Sequence, residues 1–191
     1  MNFKSEPYPK ELNLLLAKAK EVSAVVLKEL NNEDCPLLFD LYKGKSKLMR
    51  QNKLFESLEY LPNVYSNKSK SLNEFKGLYV FGEEINGKVI PVYVGISRVV
   101  FGRLRNHGWG KTTNTCTLAF LMAKTKFEKE NPGESLRAKN VEDTIHLEPC
   151  KEKMRKYRVV LYPVKNDYDL YFLEVAISGI LKTKWNSFRT H

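Results

Sequence analysis

Cysteine is scarce in this 191-residue sequence: Cys35, Cys116 and Cys150 stand far apart, with no Cys-x-x-Cys pair. An odd, scattered set makes neither a disulfide framework nor a cysteine-rich zinc site, and it fits a reducing compartment. No apolar run reaches the roughly 18 residues that a membrane span needs. The opening Met-Asn-Phe-Lys-Ser-Glu-Pro has no apolar stretch resembling a secretion signal. The expectation is a cytoplasmic protein without a membrane partner. Internal repeats are absent, and His146 with Cys150 supplies too few ligands for a metal. Aromatic residues are plentiful, ten Tyr and ten Phe within a 42% hydrophobic composition, which excludes a disordered chain. Acidic residues are in deficit, 22 against 32 Lys and Arg, for a net charge of +10. Such a surplus points to a polyanionic partner. It is uneven: 13 basic and 10 acidic residues precede position 77, whereas 19 and 12 follow it, so nucleic acid is expected at the C-terminal part.

Periodicity divides the chain. Leu12, Leu15, Leu16, Val22, Val25, Val26 and Leu30 recur at helical spacing and predict a helix over 10–31, closed by Asn31-Asn32. A second helix is expected over 46–61, ending before Pro62. The polar stretch 63–73 reads as a boundary, which makes 1–73 a helical N-terminal region and 74–191 a second domain. From position 75 the period becomes two. Gly77–Gly82 and Ile90–Ile96 are rich in β-branched and aromatic residues, and Asn86-Gly87 between them signals a hairpin. Pro91 marks a strand start or an edge irregularity. Ser97 is the expected N-cap of a helix over 98–107. Further helices are expected over 115–130, over 139–156 with Pro149 as a break, and over 169–182, with a strand at Tyr157–Val164 and a short tail after the last helix. The fold class is α+β, a small antiparallel three-stranded sheet flanked by helices.

Two helices carry polar groups where a plain core would not. Over 169–182 the apolar stripe is Leu170, Leu173, Ile177, Ile180 and Leu181, and Glu174 falls inside it or at its edge. A carboxylate there needs a cation, strong donors or a metal, because burying it unpaired costs several kcal/mol. Over 98–107, Arg103 and His107 are four residues apart and share one face. The plain structural alternative is an Arg103–Glu174 ion pair.

The order of residues says more. Gly77-Leu78-Tyr79, thirteen residues, Tyr93-Val94-Gly95, Arg103 eight after that glycine and His107 four further on resembles the GIY-YIG nuclease family. Glu174, with Asn186 twelve residues later, matches that family's metal-binding carboxylate and C-terminal Asn. Five elements in the right order make the signal specific, where one G-x-Y or Y-x-G would carry nothing. The resemblance is close over 77–107 and at the key positions of 170–188.

What the resemblance implies is hydrolysis of DNA phosphodiester bonds with Mg²⁺ (or Mn²⁺) held through Glu174, an ion content with one protein ligand because it keeps waters and takes phosphate oxygens. Tyr79 would act as general base or position the attacking water, and Tyr93 would bond the water or the phosphate. The phenol's ordinary pKa near 10 is high for a base, so neighbours must favour its ionised form. Arg103 would stabilise transition-state charge, His107 would orient or deprotonate the nucleophile, and Asn186 would brace the site. Alone, each has a plainer reading: a strand Tyr as a core aromatic, His107 as a helix C-terminal group, Asn186 as a turn residue.

The chain departs from the family pattern in three places. Ile96 stands where many members carry a polar residue, the gap between the two tyrosine motifs is slightly long, and the stretch from Arg103 to Glu174 leaves room for an insertion over about 109–150. Lys151, Lys153, Arg155, Lys156 and Arg158 cluster before the last strand; Lys182, Lys184 and Arg189 follow the Glu174 helix; Lys111 lies in the turn after His107. These are the expected phosphate contacts, with a solvated charged face as the alternative for 151–158. The expectation is a metal-dependent DNA endonuclease, restriction-type being one reading of it, with a non-catalytic nucleic-acid-binding module as its rival. One such site cuts one strand, so a double-strand break would need a homodimer or two successive nicks.

Overall fold

Asn86 and Gly87 both take positive φ, 52° and 73°, which the mirror-image turn between two right-twisted strands requires. Around them the structure, a computed structural model describing residues 11–44, 48–59, 74–136 and 143–188, folds the hairpin of β3 (Gly77–Ile85) and β4 (Lys88–Ser97). These follow a short ladder, β1 (Tyr42–Lys43) with β2 (Met49–Arg50). Strand β5 (Arg158–Pro163) pairs antiparallel with β3 on its other side, so the sheet order is β4-β3-β5. The helices are α1 (Leu12–Leu30), α2 (Asn52–Ser57), α3 (Val100–Trp109), α4 (Thr117–Glu130), α5 (Asp143–Arg155) and α6 (Asp167–Leu181), with a 3-10 turn at Leu38–Leu41. The α+β class and the three-stranded antiparallel sheet are as expected.

Alternation along β3 sends its side chains to two cores. Leu78 and Val80 face one, with Val22, Val26 and Leu30 of α1 and Leu170, Leu173 and Ile177 of α6. Tyr79 and Phe81 face the other, with Phe101 and Leu104 of α3, Leu118 and Met122 of α4, and Leu38 and Phe55 from the N-terminal region. The N-terminal helix therefore buries its apolar stripe on the sheet and α6. The boundary expected at 63–73 lies outside the described residues.

Both sheet edges are covered in part, which limits pairing with a foreign strand. Along β5, the amide of Val159 donates to Pro36 O (2.9 Å) and that of Leu38 to Tyr157 O (2.9 Å). Along β4, the tail takes the edge: Trp185 N–H donates to Val92 O (3.0 Å) and Asn186 brackets Val94. Pro91 sits in this edge strand beside a register shift between Phe81 and Gly82, an irregularity a proline tolerates.

Three expectations change. The helix expected over 46–61 reduces to α2, because Met49 and Arg50 enter the β1–β2 ladder and Glu59 turns left-handed (φ 61°); 45–47 and 60–61 lie outside the described residues. Ser97 does not cap α3. Its hydroxyl accepts the Val99 amide, while the carboxylate of Glu74 takes the amides of Phe101 and Gly102 at 3.1 Å, an anion placed where the helix dipole favours it. Pro149 does not break α5. The carbonyl that loses its helical donor belongs to Ile145, a residue 74% exposed, where solvent can satisfy it.

Candidate active site

Strand alternation and register assemble the aromatic part of the site. Tyr79 and Phe81 project from the same face of β3, and Phe81 lies opposite Tyr93 on β4, their rings stacked at 24°. Opposite Tyr79 stands Gly95, and the Tyr79 ring lies across it. A Cβ on Gly95 would come within 2.7 Å of Tyr79 Cε2 and closer still to Cζ and Oη. Gly77 is equally constrained, since a Cβ there would strike Tyr162 O and Phe75. Both glycines of the two motifs are thus demanded by close packing.

Helix α3 brings the next two groups. His107 is fully buried, and a 2.7 Å hydrogen bond joins its Nε2 to the Tyr79 hydroxyl, itself 1% exposed. Burial and the nearby Arg103 charge hold the imidazole well below its ordinary pKa, so it is neutral, and its Nδ1 has no hydrogen-bond partner among the described residues. One turn earlier, Arg103 is gripped by the chain entering α4: Nη1 donates to Thr115 O (3.1 Å) and Nη2 to Thr117 Oγ1 (2.8 Å). That entry is itself locked by reciprocal bonds between Thr112 and Thr115.

Glu174 comes from α6, which packs on the opposite face of the sheet. Its charge and that of Arg103 both act on the two phenols. Burial raises Tyr79 well above the usual phenol range, Tyr93 and Glu174 add to the rise, and Arg103 opposes it, so the surroundings disfavour the phenolate that the base role was expected to need. Tyr93 is raised by burial and Glu174 and lowered by Arg103. The Glu174 carboxyl is itself pushed up to about 7 by burial alone. Among the described residues it forms no ion pair, so the expected structural alternative, an Arg103–Glu174 bridge, is not what Arg103 does. Among those residues no cluster of three or more His, Cys, Asp or Glu gathers as a metal cage. The donor set that remains is one half-buried, uncompensated carboxylate, which suits a hard divalent cation completed by water and phosphate.

No protein-family model, curated protein or solved structure matches the chain. No helix among the described residues is long and apolar enough to cross a membrane. The site therefore stands on its own geometry.

Asn186 braces that geometry from the tail. Its Oδ1 accepts from Val94 N (2.8 Å) and from Thr183 Oγ1 (2.8 Å), and its Nδ2 donates to Val94 O (2.7 Å). It thus satisfies both backbone groups of the residue between Tyr93 and Gly95 and acts as one rung of a further strand.

The basic residues divide into two sets. Lys151 pairs with Glu148 and donates to Gly110 O, Lys153 pairs with Glu83, and Arg155 pairs with Glu148, donates to Gly108 O and lies over the Trp109 ring. Arg158 pairs with Glu84 and donates to Asn32 O. These four are bound within the fold. Lys111, Lys156, Lys182 and Lys184 are exposed, Lys184 over the Trp185 ring. Arg189 lies outside the described residues. Sequence reasoning missed Glu74, Phe81, Thr115 and Thr117. Only Glu74 left a trace, an acid ahead of a β-strand, and nothing tied it to a helix more than twenty residues on.

Proposed function

We propose that this chain is a divalent-metal-dependent endonuclease of the GIY-YIG type, hydrolysing phosphodiester bonds in DNA. The observation that carries the reading is the Tyr79–His107 hydrogen bond beside Tyr93 and Arg103, with both phenols in the field of Glu174, a carboxylate that forms no ion pair among the described residues. Mg²⁺ or Mn²⁺ held through Glu174 would neutralise phosphate oxygens and polarise the phosphorus for attack. The chain's own residues supply the rest. In the His107 tautomer whose Nε2 is unprotonated, the Tyr79 hydroxyl is the donor of their shared hydrogen bond, and it would then take a proton from water at its oxygen while passing its own to the imidazole. Neutral His107 has the lone pair to receive it, against the burial and the Arg103 charge that hold its pKa down. Arg103, oriented by the α4 entry, stabilises charge growing on the phosphate, and its rigid fork makes that positioning cheap at the moment of reaction. Tyr93 offers a hydroxyl to the phosphate or the water.

The burial of Tyr79 favours the second reading, a nucleic-acid-binding module that does not cut. Plasmid incubation with the purified protein in Mg²⁺, Mn²⁺ and EDTA, beside Glu174→Ala, separates the two. Metal-dependent nicking lost in the variant is expected. Salt-sensitive DNA binding without cleavage, retained in Glu174→Ala, would overturn the nuclease reading in favour of the module.

A further inference from the structure

Beyond the site, α3 and the α3–α4 connection line a half-open cavity of about 250 Å³. Arg105, Asn106, Trp109, Lys111 and Thr112 line it, with Leu48 closing one side. We infer that this cavity binds one nucleotide of the DNA strand next to the bond being cut, with Arg105 and Lys111 on its phosphate and the Asn106 amide on its base. This rests on the nucleic-acid reading above and adds to it a place where the strand is held.

Three observations support it. First, the cations are available. Arg105 and Lys111 are exposed and form no ion pair among the described residues, whereas Lys151, Lys153, Arg155 and Arg158 each have an acidic partner. Two free cations at the mouth of one cavity suit a phosphodiester, whose affinity comes mostly from such contacts. Second, the lining is mixed. The Asn106 side-chain amide, exposed and without a hydrogen bond among the described residues, offers a donor and an acceptor, the pair that reads a base edge. The indole of Trp109 provides an aromatic wall, fixed by the Tyr42 ring at 5.5 Å and by Arg155. The volume is below the roughly 300–1,000 Å³ of drug-sized sites, which limits the occupant to a small unit. Third, the cavity touches the catalytic arrangement. Thr115 lines it, and the Thr115 carbonyl holds Arg103. Asn106 follows Arg103 by three residues and lies one turn along the same helix. A nucleotide seated here presses on the turn that orients the guanidinium.

The test is DNA binding in EDTA, so that its outcome is independent of cleavage. A short fluorescein-labelled duplex is titrated with wild type, Arg105→Ala/Lys111→Ala, Asn106→Ala, and a charge-matched control, Lys20→Ala/Lys28→Ala on the exposed side of α1. All four positions of the two double variants are exposed, so folding is retained and is checked by circular dichroism. Expected for Arg105→Ala/Lys111→Ala is at least about tenfold weaker binding and a salt slope smaller by about 2, one contact per cation. Asn106→Ala should weaken binding with the salt slope unchanged, and the control should change it less than about twofold. In a Trp185→Phe background Trp109 is the sole tryptophan, and its emission should respond to the duplex but not to thymidine monophosphate at equal phosphate concentration. No DNA binding by wild type, equal losses in both double variants, or an equal response to the free nucleotide each overturns the subsite. If wild type binds as described yet never cleaves, the subsite stands and the nuclease reading fails.

Discussion

Gly95→Ala isolates the contact on which the aromatic site depends. The added methyl would lie within 2.7 Å of Tyr79 Cε2 and nearer to the ring tip, while the ring is 1% exposed and bounded by Phe81, Tyr93 and His107 with centroids at 5.6, 6.3 and 5.5 Å. No free space lets the ring step aside, so β4 must shift or Tyr79 must leave its rotamer. Overpacking of this kind costs about 1–3 kcal/mol. Losing the hydrogen bond to His107 adds about 1 kcal/mol. Reduced freedom of the unfolded chain returns about 0.4–1 kcal/mol, for a net loss of about 1–3.5 kcal/mol, centred near 2. Urea denaturation with an unchanged m-value measures it. The decisive comparison is the same substitution in a Tyr79→Val background, where no ring crosses the glycine. There Gly95→Ala should cost less than about 0.5 kcal/mol, giving a coupling energy of about 2 kcal/mol. An equal cost in both backgrounds would refute the reasoning, because the penalty would then come from the strand and not from the ring.

Asn186→Ala should remove about 2–3 kcal/mol of stability, since it leaves both backbone groups of Val94 without their partner; faster hydrogen exchange at Val94 than at Val80 is the local signature. Arg155→Ala should lower stability by about 1–3 kcal/mol and leave the salt slope of DNA binding unchanged, because Arg155 serves Glu148, Gly108 O and Trp109. Asp167 is held at about 2 by hydrogen bonds from Arg98 and by Lys76. Its folded pKa is below its unfolded value near 3.9, so its stabilisation is complete above about pH 4 and lost as the pH falls toward 2, by about 1–2 kcal/mol; Asp167→Asn should flatten the acid limb of the stability profile. His107 is displaced downward too, so its own contribution to stability falls as the pH drops below about 6.5, against the rise that Glu174, displaced upward to about 7, contributes over the same window; the stability of His107→Gln should therefore rise more steeply toward acid than that of wild type, and an equal slope would exclude His107 as a source.

Much of the architecture was legible. The Asn86-Gly87 turn, the alternation on both sides of it, and the helical spacing of Leu15, Val22, Val26 and Leu30 are local properties, and local chemistry decides them. The position of Glu174 against its apolar stripe was readable for the same reason, and the structure leaves it half-buried. The short ladder at Tyr42 and Met49 was not readable, because two-residue strands leave no periodicity and Leu48 and Met49 imitate a helical face. Nor was the grip of Thr115 and Thr117 on Arg103, which depends on how the α4 entry folds back over α3.

Charge shows the division most clearly. Composition alone determined that the chain carries a surplus of ten positive charges and that it rises after position 77. Which cations remain open to an anion was decided by tertiary structure. Because β5 pairs with β3 so that Arg158 lies opposite Gly82, Arg158 and Lys153 meet Glu84 and Glu83 from the far end of the hairpin, more than sixty residues away in sequence. A side chain's charge is fixed by its chemistry, but its neutralisation depends on a partner within a few ångströms, and only strand register brings these partners that close.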